Sequence, residues 1–325
     1  MITALSIDIQ KRIFDYMRGV PFEVIPPSLY NARSLYGDTG DVTRFSFDDC
    51  YDQLVYRHFI ATGKHADDDL EMLARALHDY NIGKMVDDYL DHYNRCQVVG
   101  VMGGHGMLRT DQVYRDIVTL SKELTERGSL MVTGGGPGAM EATHLGAWLA
   151  GRTPDEVDEA IGMLAQAPSF TDAGWLELAF GVMNRFPQAK YRSLGIPTWL
   201  YGHEPSTPFA TDIAKYFDNC IREDSILTIA FGGIIYTPGS AGTMQEIFQE
   251  AVQNHYLSFG LSSPMIFLGK QFWTEEIPVY PFIEDMVRRG KYKNLNLLLT
   301  DDPAQAVGHL LDFRCKADAG SITWG

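Results

Sequence analysis

The sequence predicts an α/β protein: a doubly wound, Rossmann-like parallel sheet with a helical N-terminal extension. From residue 97 onward, short apolar runs alternate with segments of helical periodicity, a pattern typical of a parallel sheet with helices on both faces. Residues 1–95 contain few glycines after Gly40 and show helical periodicity over 47–60 and 68–93. We therefore expect two domains, a helical N-terminal domain or cap over 1–95 and a sheet domain over 96–325.

Strands and helices of the sheet domain are expected to alternate along the chain. The apolar runs predict strands over 98–102, 130–133, 198–201, 233–236, 265–268 and 295–300. The segments between and after them predict helices over 110–127, 138–150, 154–165, 208–222, 242–255 and 281–289.

Composition and charge exclude several classes of protein. With 325 residues, 45% of them hydrophobic, the chain can bury a sizeable core. A net charge of -15 argues against binding to polymeric nucleic acid or to an anionic membrane surface, although a small anion can still bind where local dipoles favour it. The N-terminus lacks a signal peptide's apolar core, and no apolar run is long enough to span a bilayer. We expect a cytoplasmic protein.

The cysteines show no metal-binding pattern. Cys50, Cys96, Cys220 and Cys315 are far apart, with neither a C-x-x-C pair nor a Cys/His spacing of the zinc type. The sequence therefore predicts reduced, mostly buried thiols and no metal site.

A glycine-rich turn after the run ending at Tyr236 has the properties of a phosphate site. Gly239 and Gly242 leave the backbone bare, so amide N–H groups and the positive end of a helix starting near Ala241 can converge on an anion. Thr243 adds a hydroxyl, and Glu246 follows about one helical turn later. An alternative is that Thr243-x-x-Glu246 is only a capping box that closes its own helix.

Three predicted strands end in glycine turns, at 103–106, 134–138 and 238–242. Ligands of open α/β sheets bind outside the carboxyl ends of the strands, where these turns would meet. Each turn alone is equally typical of a tight strand-to-helix reversal. Gly134, Gly136 and Ala139 also fit G-x-G-x-x-A, but the acid that a dinucleotide site needs about twenty residues later is absent. No P-loop lysine is present either.

Several charged residues flank these turns. Glu141 is expected early in a helix, where it can either interact with the helix dipole or reach into the cleft. His105 lies inside the first glycine turn as a possible phosphate donor or a plain surface group. Arg222 is expected to end a helix, and Arg185, Lys190 and Arg192 form a basic segment that can equally be a solvated loop.

Two segments, 133–142 (TGGGPGAMEA) and 238–246 (PGSAGTMQE), resemble the LONELY GUY (LOG) family, formerly described as lysine decarboxylases. The closer resemblance is to its longer bacterial members, the pyrimidine/purine nucleotide 5′-monophosphate nucleosidases, which share Gly103-Gly104-His105 and an N-terminal extension. It covers residues 97–300. The hallmark P-G-G-x-G-T-x-x-E is altered at Ser240, where the family has glycine. Arg222, sixteen residues before Pro238, matches the family's arginine if one residue is inserted.

The resemblance implies a phosphoribohydrolase that cleaves nucleoside 5′-monophosphates to free base and ribose 5-phosphate, without metal or organic cofactor. It assigns catalysis to Glu246 and Arg222. The 5′-phosphate would bind at Gly239, Ser240, Ala241, Gly242 and Thr243. The ribose and base would lie beside Gly103, Gly104, Gly134, Gly135, Gly136 and Glu141. It also implies a small-molecule nucleotide as the partner and a homo-oligomer.

Two other functions fit the same residues. Molybdenum-cofactor carrier proteins are similar in fold and carry a related glycine loop, so a binding protein that does not hydrolyse its ligand is the principal alternative. A nucleotide sensor, in which residues 1–95 transmit the signal, is another. The plant-type M-H-x-R-K signature is absent, which favours general nucleotide hydrolysis over cytokinin activation.

Overall fold

The computed structural model describes residues 6–38, 40 and 45–318. Its centre is a seven-stranded sheet with the strand order β4-β3-β2-β1-β5-β6-β7, in which all neighbouring strands are parallel. The strands are β1 (Val98–Met102), β2 (Leu130–Thr133), β3 (Ser193–Gly195), β4 (Asp212–Ile213), β5 (Gly233–Tyr236), β6 (Pro264–Leu268) and β7 (Asn296–Thr300). The predicted parallel α/β sheet is confirmed.

Helices precede the sheet and connect its strands. They are α1 (Ile7–Gly19), α2 (Ala32–Tyr36), α3 (Tyr51–Ala61), α4 (Asp69–Leu90), α5 (Gln112–Glu126), α6 (Ala139–Trp148), α7 (Pro154–Leu164), α8 (Trp175–Arg185), α9 (Asn219–Leu227), α10 (Ala241–Tyr256), α11 (Val279–Arg288) and α12 (Pro303–Asp318). Two 3-10 turns, Arg95–Gln97 and Trp199–Tyr201, and one π-helical turn, Phe272–Glu276, complete them. No helix among the described residues is long and apolar enough to cross a bilayer.

The strand order reverses between β1 and β5. Strands β1 to β4 extend the sheet in one direction, and β5 to β7 extend it in the other. Met102 and Tyr236, the last residues of β1 and β5, pair in register. The loops that follow them therefore diverge at this point, which leaves a crevice at the carboxyl ends of the two strands.

Alternate residues of each strand face two hydrophobic cores. In β1, Val98 and Met102 belong to one core, and Val99 and Val101 belong to the other. The first core also contains residues of α2 to α4 and α8 to α11, whereas the second contains residues of α5 to α8 and α12. Helices thus cover both faces, which is why the strands are short apolar runs rather than alternating ones.

The N-terminal helices share the first core with the sheet. Phe22 and Phe59 pack their rings against Phe217, at centroid distances of 4.7 and 5.8 Å, and Trp199 packs on the same ring at 4.5 Å. Tyr30 forms an antiparallel bridge to Ile213 in the edge strand β4. The division at residue 95 remains a prediction, and apolar side chains from both sides of it form one continuous cluster.

Three sequence-based predictions in the middle of the chain are wrong. Residues 198–201, predicted as a strand, form the 3-10 turn, because the side chain of Thr198 accepts a hydrogen bond from Leu200 N and caps that turn. The predicted helix 208–222 contains β4 and only the beginning of α9. Consequently Arg222 lies in the first turn of α9 and not at the C-terminal end of a helix.

The cysteine prediction holds in part. Cys50 and Cys96 are buried, whereas Cys220 is exposed. The side chain of Cys315 and residues 1–5 at the start of the chain lie outside the described residues.

Candidate functional site

A cavity of about 290 Å³ opens at the carboxyl ends of β1 and β5. The sequence-predicted residues that line it are Gly103, Gly104, Gly134, Arg222, Ser240, Gly242, Thr243 and Glu246. Five others are not among the lining residues: Gly135, Gly136, Gly239, Ala241 and Glu141. The lining residues that were not predicted as site residues include Tyr201, Glu204, Glu223, Gln245 and Gln249. The cavity therefore brings together residues from all three glycine turns.

The first glycine turn lies between the other two and is bonded to both. Gly104 N donates to Pro238 O at 3.0 Å, and Ala139 N donates to Gly104 O at 3.2 Å. Gly138 has φ +67°, and a Cβ there would collide with Gly104 O. Because only glycine combines a positive φ with so close a backbone approach, this residue fixes how the second turn meets the first.

Arg222 reaches the cavity from the first turn of α9. Its Nε donates to Ile196 O at 3.1 Å, and one terminal nitrogen of its guanidinium group fills the space that a Cβ on Gly134 would need. Glycine at 134 thus makes room for the arginine. The guanidinium is half-buried and faces the cavity, where it can bind an anion or a polar group of a ligand.

The start of α10 supplies free backbone donors. Ser240 is the N-cap residue, but its side chain makes no capping hydrogen bond, and Ser240, Ala241 and Gly242 are exposed. The helix begins at Ala241, so Thr243 is its third residue and not its cap. The capping-box alternative for Thr243 and Glu246 is therefore wrong. Uncapped amides together with the helix dipole form an environment that suits a phosphate group.

Glu246 lies one helical turn further along α10. Among the described residues its carboxylate forms no hydrogen bond or ion pair, although it lines the same cavity as Arg222. Burial raises the pKa of Glu246 to about 7, while the nearby Arg222 lowers this pKa and Glu223 raises it. Arg222 and Glu246 are therefore neighbours that interact electrostatically without a direct bond, and near neutral pH the carboxyl group gains or loses a proton easily.

Glu141 does not reach the cavity, contrary to the expectation that it lines the ribose side. It is fully buried and accepts two hydrogen bonds from Arg109, at 2.5 and 3.0 Å, and one from Tyr114 at 3.1 Å. Arg109 also donates to Trp175 O at 3.1 Å. The pair holds the helix that follows the second glycine turn, so Glu141 supports the site from behind.

Two other predicted residues also act from behind the cavity wall. Gly135 O accepts a hydrogen bond from Thr207 N at 2.8 Å, which ties the second turn to the loop after the 3-10 turn. Gly239 packs against Thr243, and a Cβ at that position would collide with the threonine hydroxyl.

Glu204 is the main residue that sequence reasoning missed. It lies in the loop between β3 and β4, its side chain is 18% exposed, and its Oε1 is 3.8 Å from His105 Nδ1. Among the described residues its carboxylate accepts no hydrogen bond. The sequence signal was the run 204–208 (EPSTP), which resembles the longer nucleosidases and lies outside both glycine motifs. The basic segment is not part of the site, since Arg185 pairs with Glu159 and Arg192 pairs with Asp212.

The cavity carries more negative than positive groups. Glu204, Glu223 and Glu246 line it together with one arginine, Arg222. Among the described residues, no cluster of three or more His, Cys, Asp or Glu side chains is arranged to hold a metal ion. Because three carboxylates line the cavity, a cationic region of a ligand would be stabilised beside them. An anionic region would be stabilised at the uncapped start of α10.

Comparisons with solved structures find proteins of similar fold at low identity. The molybdenum cofactor binding protein from the phototrophic bacterium Rippkaea orientalis matches with a TM-score of 0.44 and 14% identity, over 67% of this chain and 96% of that chain. TM1055, a structural genomics target, matches with a TM-score of 0.43 and 19% identity, over 66% of this chain and 98% of that chain. The Moco carrier protein of Chlamydomonas rheinhardtii matches with a TM-score of 0.41 and 16% identity, over 67% of this chain and 98% of that chain.

Likeness at this level says nothing about the ligand of this chain. No protein-family model matches the sequence, and no curated protein matches it.

Proposed function

We propose that this chain is a cytoplasmic phosphoribohydrolase that cleaves the N-glycosidic bond of nucleoside 5′-monophosphates. The observation that carries the proposal is the shared cavity of Arg222, Glu246 and the uncapped start of α10. The resemblance of both glycine motifs to the LOG family supports it. The free thiols of Cys50 and Cys220 fit a reducing compartment.

The charge distribution of the cavity suits this reaction. Cleavage builds positive charge on the ribose, which the ionised carboxylate of Glu246 would stabilise. The bond from C1′ to the base nitrogen breaks, its electron pair leaves with the base, and a water oxygen bonds to C1′. One proton of the water is transferred to the base. The products are the free base and ribose 5-phosphate.

Each remaining group would bind one part of the nucleotide. The amides of Ser240 to Thr243 would bind the 5′-phosphate, because an anion at an uncapped helix start is stabilised by free donors and by the helix dipole. Arg222, held by Ile196 O, would bind the phosphate or the departing base.

The test is a panel of nucleoside monophosphates incubated with the protein, with free base and ribose 5-phosphate as readout. Glu246→Ala should abolish release of both products. Glu250→Gln is the matched control, because Glu250 lies one turn further along α10, also has a pKa raised to about 7 by burial, and bonds Ser263 away from the cavity. Turnover that survives Glu246→Ala would overturn the assignment.

The alternative is a binding protein that holds a nucleotide or a molybdenum cofactor without hydrolysing it. The absence of a direct bond between Arg222 and Glu246 favours it over an enzyme with a preformed catalytic pair. Tight binding of a nucleoside monophosphate or of the cofactor, with no product after prolonged incubation, would decide for this function.

We also propose that the chain forms a homo-oligomer. Helices α10 and α11 expose large apolar side chains, among them Val252, Tyr256 and Phe282, which are 44%, 72% and 50% exposed. Light scattering should give a molar mass that is a multiple of the 36.4 kDa chain mass. The double variant Tyr256→Glu, Phe282→Glu should have the mass of a single chain.

A further inference from the structure

One wall of the cavity is a short segment, residues 199–207, that connects β3 to β4. It carries two residues that line the cavity, Tyr201 and Glu204. Tyr201 is 43% exposed, whereas the Glu204 carboxylate turns inward beside His105 and the second glycine turn, with Oε2 3.9 Å from where a Cβ on Gly136 would lie. Among the described residues this carboxylate accepts no hydrogen bond, and its Oε1 lies 3.8 Å from both His105 Nδ1 and His203 Nε2. It therefore retains the capacity to accept hydrogen bonds from a ligand.

The N-terminal part of the chain grips this segment on both sides of Glu204. Gln53 Nε2 donates to Gly202 O at 2.9 Å, and Tyr36 OH donates to Ser206 O at 2.5 Å. Both donors are buried. Because two carbonyls flanking Glu204 are each held by one side chain from residues 36–53, the carboxylate is kept at a fixed place in the cavity wall.

A buried ion pair reinforces the same grip. Lys215 Nζ lies 2.6 Å from Asp52 Oδ1 and donates to Ser206 Oγ at 3.0 Å. Asp52 also accepts a hydrogen bond from Trp199 Nε1 at 3.0 Å, at the beginning of the segment. Buried charged groups need partners, and these contacts connect Trp199 and Ser206 of the segment to Asp52 of α3.

We propose that Glu204 contacts the ligand directly and accepts hydrogen bonds from the hydroxyl groups of its pentose, and that Tyr36 and Gln53 are positioning residues for it. The proposal concerns the cavity of the proposed function and rests on it for the class of ligand. A phosphate at the start of α10 leaves the sugar between Glu246 on the β5 side and Glu204 on the β2 side. Hydroxyl groups donate well to a carboxylate. In other doubly wound sheets an acidic side chain accepts a hydrogen bond from a ribose hydroxyl group of the bound dinucleotide.

The experiment compares equilibrium binding of AMP with that of 2′-deoxy-AMP and 3′-deoxy-AMP, on a Glu246→Gln background that prevents cleavage. The protein should prefer AMP over at least one deoxy analogue by about tenfold, which corresponds to one hydrogen bond to a charged group. Glu204→Ala should reduce that preference to less than about threefold. An unchanged preference in Glu204→Ala would overturn the proposal.

The positioning role is tested by Tyr36→Phe, which removes only the hydroxyl that bonds Ser206 O. It should weaken the preference for AMP on its own and have no further effect once Glu204 is alanine, because the two residues act through one contact. Tyr51→Phe is the matched control, since its hydroxyl bonds Glu23 N and Tyr30 OH and does not touch the 199–207 segment. Additive effects of Tyr36→Phe and Glu204→Ala would contradict the positioning role.

The ratio of two affinities separates this proposal from stability effects and from the proposed function. A partly unfolded variant binds both nucleotides less, but it keeps their ratio. If AMP binds with a preference that depends on Glu204 yet wild-type protein never cleaves it, hydrolysis fails and the role of Glu204 stands. If wild-type protein cleaves AMP while the preference is independent of Glu204, the proposed hydrolysis stands and the role of Glu204 fails. No binding of any nucleotide would overturn both.

Discussion

The guanidinium group of Arg222 occupies the space where Gly134 lacks a side chain, and this contact joins α9 to the second glycine turn. The two residues come from separate parts of the chain, so neither motif alone reveals the contact. Their fit explains why the arginine faces the cavity although no carboxylate forms an ion pair with it among the described residues.

Gly134→Ala should therefore displace Arg222 and impair catalysis without unfolding the protein. The added methyl group collides with the far end of a flexible, half-buried side chain, which can move at low cost, so we expect less than about 1 kcal/mol of lost stability. We expect kcat/KM to fall at least about tenfold, as measured by release of free base. Gly106→Ala is the control, because a Cβ at Gly106 meets no atom within 4 Å.

The pH dependence of turnover should follow Glu246. Burial raises its pKa to about 7, and the reaction needs its ionised form, so kcat should rise with pH through about 7 and level off above about 8. Measurement at saturating substrate is required, since the substrate phosphate has its own pKa near about 6. A kcat that falls as pH rises through 7 would mean that Glu246 acts as a protonated acid instead. Glu250→Gln, which leaves Glu246 in place, should keep the same profile.

Breaking the buried pair of Arg109 and Glu141 should destabilise the fold strongly. Arg109→Met leaves the Glu141 carboxylate charged and without its main partner in a fully buried position, which typically costs about 3–5 kcal/mol. Urea unfolding measures this change. Arg115→Met is the comparison, because Arg115 and Asp158 are exposed, and such surface pairs contribute about 0–1 kcal/mol. Equal losses in the two variants would contradict the supporting role of Glu141.

Gly242→Val should weaken phosphate binding while the fold is kept. Gly242 is exposed and lines the cavity, and a Cβ added to it would meet no atom within 4 Å, so a larger side chain fits but covers the first-turn amides of α10. We expect the Michaelis constant for nucleoside monophosphates to rise at least about tenfold, with little change for nucleosides without phosphate. A parallel rise for both kinds of substrate would show that the phosphate lies elsewhere.

Residue patterns predict the sheet well where strands are long enough to form an apolar run. Strands β1, β2, β5, β6 and β7 each have four or five residues and were predicted within two residues of their bounds. Strands β3 and β4 have three and two residues, too few for any periodicity to appear. Their place in the sheet depends on neighbours that are distant in sequence, so it could not be predicted.

In the candidate site, too, residues in local motifs could be predicted, whereas residues placed by distant contacts could not. Glycine turns are local signals, which is why Gly103, Gly134 and Gly242 were predicted and do line the cavity. Glu141 also lies within a motif, but its orientation depends on Arg109, which sequence alone does not connect to it. Glu204 lies in neither glycine motif, and the loop that carries it is bonded to Gln53 and Tyr36, which are distant in sequence.

The packing of Phe22 and Phe59 on Phe217 has a consequence for synthesis on the ribosome. Both early rings leave the exit tunnel long before their partner is translated, so the surface that Phe217 covers stays open until then. The first core therefore cannot close during synthesis before residue 217 has been made. A chaperone that shields nascent chains should raise the yield of this protein more than that of one whose early segments pack among themselves.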